Sequence, residues 1–299
     1  MPLNGVLPVF QTPFHEDYSV DYETLGKEID WLLDRGASGV VMAMVSETLR
    51  LSSEERDQVA AWVCQRTGTR GSAVISVEAE STVVALRHAR VAESSGAAAI
   101  MAIPPIATAL GVPQILDYYG ALLEATSLPV IVQDASGYVG RPLPVAAQAQ
   151  LLDQFGPHRV LFKPEAAPIG PTLSALRDAT RGQAQIFEGS GGIHLVDSHR
   201  RGIVGSMPGA EIIDAQVALW QALECGDEQS AYRLSFPIAA LVALQSGLDG
   251  FLAVEKHLLQ RQGVFKNTLV RGPSAFVLDD ETRAEVDRLH DLLKAALQD

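Results

Sequence analysis

The sequence predicts an α/β protein: a (β/α)8 TIM barrel with a C-terminal helical extension. Short apolar or β-branched runs alternate with helix-period segments from the start to about residue 225, the pattern of repeated βα units. Most of the apolar runs are continuous, as expected for parallel strands covered on both faces. A length of 299 residues fits one such barrel with additions.

The expected strands are Gly5 to Phe10, Gly39 to Met44, Ser72 to Val77, Ala98 to Ala102, Pro129 to Asp134, Val160 to Lys163, Gln185 to Glu188 and Gly202 to Ser206. Between the first two, Leu25, Ile29, Leu32 and Leu33 fall on one helix face and Gly36 stops the helix. Ser52 and Glu55 have the spacing of a capping box. Gly96, Gly182 and Gly202 each fall where a helix should give way to a strand. After Gly226 the alternation ceases, and residues 227–246, 250–261 and 280–297 read as helices, the last capped by Asp279 or Asp280. The expected division is therefore a barrel over residues 1–225 and a helical extension over 226–299.

Apolar residues make up 47% of the chain and charged residues 20%, with no apolar run long enough to span a bilayer. Met1-Pro2-Leu3-Asn4-Gly5 lacks the pattern of a secretory signal, so a cytoplasmic location is expected. The formal net charge of −13 argues against nucleic-acid and membrane partners, while leaving room for a small anionic substrate. Cys64 and Cys225 lie in helix-like segments, where a buried structural role is expected for each. His194 and His199 are five apart, which does not suit two ligands on one helix face, and no metal site is expected.

Val160-Leu161-Phe162-Lys163-Pro164-Glu165 places a lone lysine at the end of an apolar strand. Desolvation disfavours an ammonium, and a neutral amine can add to a ketone to form a Schiff base. The bland alternative is a strand-end lysine that snorkels to solvent. Position favours the chemistry, because reacting groups of an α/β barrel sit at the C-terminal ends of its strands. Ser46-Glu47, Gln133-Asp134 and Glu188-Gly189-Ser190-Gly191-Gly192 would face the same mouth.

These residues, in order and spacing, resemble the dihydrodipicolinate synthase and N-acetylneuraminate lyase group of class I aldolases over essentially the whole chain. The landmarks are Gly5 with Thr12-Pro13-Phe14, Glu47 with Leu51-Ser52, Leu128-Pro129-Val130-Ile131, Gly140, the lysine strand, and Gly202-Ile203-Val204-Gly205-Ser206. The resemblance implies that Lys163 forms a Schiff base with a small 2-keto acid. It also implies that no metal or organic cofactor takes part, and that the chain assembles as a homodimer or homotetramer.

The departures bear on the substrate. Where the group has Gly-Thr-Thr-Gly-Glu, this chain has Ala43-Met44-Val45-Ser46-Glu47, and Pro104-Pro105-Ile106 replaces Pro-Tyr-Tyr. The strand-five Tyr-Asn pair becomes Gln133-Asp134, and Tyr138 or Val139 replaces the synthase arginine. These losses argue against a dihydrodipicolinate synthase proper. A Gln-Asp strand five and a Lys-x-Glu strand six are closer in kind to the 2-keto-3-deoxy sugar-acid dehydratases.

An iminium at C2 makes the substrate an electron sink, so a base can then remove a C3 proton or the proton of a C4 hydroxyl. Glu165, two residues from Lys163 and on the same side of a continuing strand, is the expected acid and base. Gln133, Asp134, Ser46, Ser190 and Gly189 are the expected substrate-binding residues, with a turn-capping role as the alternative for Asp134. Glu47 is expected to support its loop. The leading reading is a Schiff-base lyase, a dehydratase or aldolase of a 2-keto-3-deoxy sugar acid. Its alternative is a non-catalytic keto-acid-binding or scaffold barrel that has lost the proton relay.

Overall fold

The computed structural model describes residues 3–298, and each of the eight expected segments contributes a strand. They are β1 (Gly5–Val6), β2 (Gly39–Met42), β3 (Ser72–Ser76), β4 (Ala99–Ala102), β5 (Val130–Asp134), β6 (Val160–Pro164), β7 (Gln185–Glu188) and β8 (Gly205–Ser206). The paired strands run parallel in the order β1-β8-β7-β6-β5-β4-β3-β2. The remaining gap closes through a Val9–Val41 bridge and the bonds Ser38 N to Val6 O (2.8 Å) and Val41 N to Pro8 O (2.9 Å). The result is the expected (β/α)8 barrel.

Three strands, β1, β2 and β8, are shorter than the sequence suggests by two residues or more, each for a local reason. Pro8 has no N–H to donate, which interrupts the ladder of β1 before Val9 bridges onward. Residues 44–46 coil into a 3-10 turn after Ala43, ending β2 early. Gly202 takes a positive φ of 89° in the turn before β8, so that strand starts later.

Eight helices follow the strands: α1 (Tyr22–Asp34), α2 (Ser53–Thr67), α3 (Thr82–Ser94), α4 (Val112–Ala125), α5 (Val145–Phe155), α6 (Ile169–Ala179), α7 (Leu195–Arg200) and α8 (Ile213–Cys225). The capping box forms as expected, with Glu55 N donating to Ser52 Oγ (3.2 Å) and Ser52 N donating to Glu55 Oε2 (2.8 Å). Then come α9 (Glu228–Val242), α10 (Gly247–Arg261) and α11 (Asp280–Ala296), whose N-cap is Asp279. No single helix among the described residues is long and apolar enough to cross a membrane. Cys64 is buried, but Cys225 corrects the expectation of two buried cysteines: it ends α8 on the exposed side.

Alternation along the strands divides the core. On β6, Val160 and Phe162 pack outward among the helices, while Leu161 joins the barrel interior with Ile131, Met101 and Phe187. Lys163 follows Leu161 by two residues and so points inward, just above that apolar plug.

Candidate active site

Lys163 and Gln133 are direct partners in the β5–β6 ladder, which sets their side chains next to each other on the inner face. Pro164 does not disrupt the strand here, because Glu165 N still donates to Asp134 O at 2.8 Å. The backbone stays extended, and Glu165 returns to the side of Lys163. Lys163 Nζ lies 3.3 Å from Glu165 Oε1, and Gln133 Nε2 donates to Glu165 Oε2 at 2.7 Å. All three side chains are buried.

Burial pushes the Glu165 carboxyl above the usual carboxylate range, although Lys163 and the Gln133 amide both favour its ionised form. A carboxyl raised in this way holds a proton more readily than an ordinary glutamate, which suits an acid and base beside Lys163. The three residues line a cavity at the C-terminal mouth of the barrel. Lys163 is the only cation among its lining residues. Gly189 lines it as well, and a methyl group there would stand 2.7 Å from both Lys163 Cε and Glu165 Oε1.

The structure does not bring the other expected binding residues into this cavity, and each has a local partner instead. Ser46 Oγ donates to Phe10 O (2.6 Å) and accepts from Ala43 N (3.1 Å), so its hydroxyl braces the 3-10 turn. Asp134 accepts from Ser136 N (3.0 Å) and Leu143 N (2.8 Å), which makes it a cap for the loop after β5. Ser190 Oγ accepts from His194 N (3.0 Å) at the approach to α7. Glu47 supports its loop: it pairs with the fully buried Lys256 and accepts from Arg271 N (2.9 Å).

Sequence reasoning missed the contribution of the C-terminal helices. Leu248, Phe251 and Glu255 of α10 complete the cavity wall, together with Gly209 after β8. The available signal was Glu255-Lys256, two adjacent charges in an otherwise apolar stretch of helix. Of the two candidates for the arginine position, Tyr138 lines the cavity and Val139 does not. The Tyr138 ring packs edge-on against Phe251 at 5.6 Å, and burial, with nearby carboxyl groups, raises its phenol above the ordinary range. No group of three or more His, Cys, Asp or Glu suited to a metal ion occurs among the described residues.

A sequence profile of the dihydrodipicolinate synthetase family matches residues 2–296. An L-2-keto-3-deoxyarabonate dehydratase from Azospirillum brasilense is 26% identical over 288 residues, covering 94% of this chain and 92% of its own. The crystal structure of dihydrodipicolinate synthase from Rhodopseudomonas palustris superposes with a TM-score of 0.86 at 25% identity, over 97% of this chain and 98% of that one. A sialic acid aldolase from Ruminococcus gnavus shares the fold, with a TM-score of 0.88 at 20% identity over 99% of this chain and 98% of its own. With a barrel of this topology and a profile match running almost end to end, the chain belongs to the dihydrodipicolinate synthetase family.

Proposed function

We propose that the protein is a Schiff-base lyase that dehydrates a 2-keto-3-deoxy sugar acid. The observation that carries this reading is the buried trio of Lys163, Glu165 and Gln133 at the mouth of the barrel. Similarity along the whole length to an L-2-keto-3-deoxyarabonate dehydratase supports the choice of substrate class.

In this mechanism Lys163 Nζ attacks the C2 carbonyl and water departs, leaving an iminium that draws electrons from C3. Glu165, 3.3 Å from that nitrogen, takes the C3 proton and gives an enamine. The enamine electrons then expel the C4 hydroxyl as water, the proton coming from Glu165. Water adds to C2 of the resulting unsaturated iminium, which releases the keto acid and restores the Lys163 amine. Gln133 holds Glu165 through its amide, which does not exchange protons near neutral pH, so its part is positioning. Met44 and Val45, at the start of the 3-10 turn, line the cavity beside Lys163.

Borohydride reduction in the presence of pyruvate tests the reading. A covalent adduct on Lys163, absent in Lys163→Ala, is expected by mass spectrometry of the intact chain and of its peptides. Wild-type protein that traps neither pyruvate nor any 2-keto-3-deoxy sugar acid would remove the basis for the proposal. Product analysis with such a sugar acid separates dehydration from aldol cleavage, which would release pyruvate and an aldehyde.

A further inference from the structure

The cavity meets a second set of buried acids on its β8–β1 side. Glu255 of α10 lines it and is 1% exposed; Glu211, shortly after β8, is also 1% exposed. One oxygen of each is bound by an amide: Gln11 Nε2 donates to Glu255 Oε2 (2.6 Å) and Gln245 Nε2 to Glu211 Oε1 (2.8 Å). The other oxygens, Glu255 Oε1 and Glu211 Oε2, are buried without a partner. Both stand under 3.0 Å from the point that a methyl group on Gly209 would occupy, and Gly209 lines the cavity. Two carboxyl groups thus converge beside Gly209, a residue with no side chain: Glu255 lines the cavity, and Glu211 stands next to it behind Gly209.

Among the described residues, no cation forms an ion pair with either of them. Lys256, next along α10, turns its ammonium to Glu47, Thr12 O and Leu269 O. Glu28, close by, accepts from Gln11 N (2.9 Å) and adds a further repulsion on Glu255. Burial and the neighbouring Glu211 charge raise the Glu255 carboxyl, and burial raises that of Glu211, so the converging pair favours sharing a proton. An acid beside a carboxylate both donates and accepts hydrogen bonds. A hydroxyl group matches that in kind, whereas an incoming carboxylate would only add negative charge.

We propose that Glu255 and Glu211 bind a hydroxyl group of the substrate chain, and thereby select a hydroxylated 2-keto acid over a dicarboxylic one. The inference rests on the Schiff-base reading above, because attachment at Lys163 fixes C2 on the β5–β6 side and leaves the chain to cross toward β8.

The test is a titration of borohydride trapping in wild type and Glu255→Gln with pyruvate, a 2-keto-3-deoxypentonate and 2-oxoglutarate. Wild type should be half-trapped by the pentonate at a concentration at least about ten-fold below that for 2-oxoglutarate. In Glu255→Gln the pentonate-to-pyruvate ratio of half-trapping concentrations should rise about ten-fold or more, the loss of one charge-assisted hydrogen bond. An unchanged ratio with pyruvate still trapped overturns the inference and leaves the Schiff-base reading standing. Failure of wild type to trap pyruvate overturns both. If Glu255→Gln does not fold, wild type with 2-oxopentanoate decides: trapping of this chain without hydroxyls as tightly as the pentonate overturns the inference.

Discussion

Lys163, Glu165 and Gln133 meet because two neighbouring strands are in register, and each can be tested at the level of one side chain. Glu165→Gln keeps the shape and the Gln133 contact region while removing the proton carrier, so turnover should fall by about 100- to 10,000-fold. The reduced pyruvate adduct should still accumulate in that variant over longer incubation, which mass spectrometry would show. Gly189→Ala would press a methyl group onto Lys163 and Glu165, and a misplacement of that order is expected to cost about 100-fold in turnover. Steady-state kinetics on variant protein with native circular dichroism checks it. The cysteines give a test independent of function: burial pushes the Cys64 thiol up to about 12, while Cys225 is exposed. Iodoacetamide at neutral pH should add one label to the native chain and two after denaturation. At this scale the inward placement of Lys163 and Glu165 was legible in the sequence, because strand alternation is a local property. Ser46, Asp134 and Ser190 escaped it, since their polar atoms are taken by backbone groups that only the folded loops bring near.

Among the elements, α2 shows local information acting alone: Ser52 and Glu55 cap it through their own backbone neighbours. Ser52→Ala should cost about 1 kcal/mol, measurable as a lower urea midpoint at unchanged slope. Helix α10 shows the opposite case. Its Lys256 is wholly buried and ties three segments together through Glu47, Thr12 O and Leu269 O. Lys256→Met would strand the Glu47 carboxylate in the interior and is expected to cost about 3–5 kcal/mol. Adding Glu47→Gln to that variant should recover part of the loss, because the uncompensated charge is gone; a double-mutant cycle by urea unfolding measures the coupling. Charges within an apolar helix were visible in the sequence, but their partners lie up to 244 residues away.

For the whole molecule, acid stability follows from groups whose titration changes on folding. His290 of α11 is buried and its Nδ1 accepts from Arg261 Nη1 at 2.9 Å. Burial, followed by the nearby Lys294 and Arg261 charges, lowers it to about 4. The folded state therefore disfavours the proton, so this contribution to stability is complete above the ordinary histidine value near 6.5 and is lost as pH falls toward 4. Urea midpoints of wild type and His290→Gln should diverge across that window, with the variant's acid-side decline shallower. Glu55, held to about 2 chiefly by its hydrogen bond from Arg271, acts lower, its contribution vanishing as pH drops from about 4.5 to 2. The sequence by itself determined the eight strands, the helices between them, the inward lysine and its glutamate two residues on, because periodicity and alternation are set by each residue's immediate neighbours. Only the tertiary structure decided which polar groups remain free and which are bound. It alone carried Glu255 across 244 residues to Gln11 and placed it, with Gly209, on the wall opposite the β5–β6 pair. Burial and pairing depend on what closes over a side chain, and in this barrel that cover comes from helices remote in sequence.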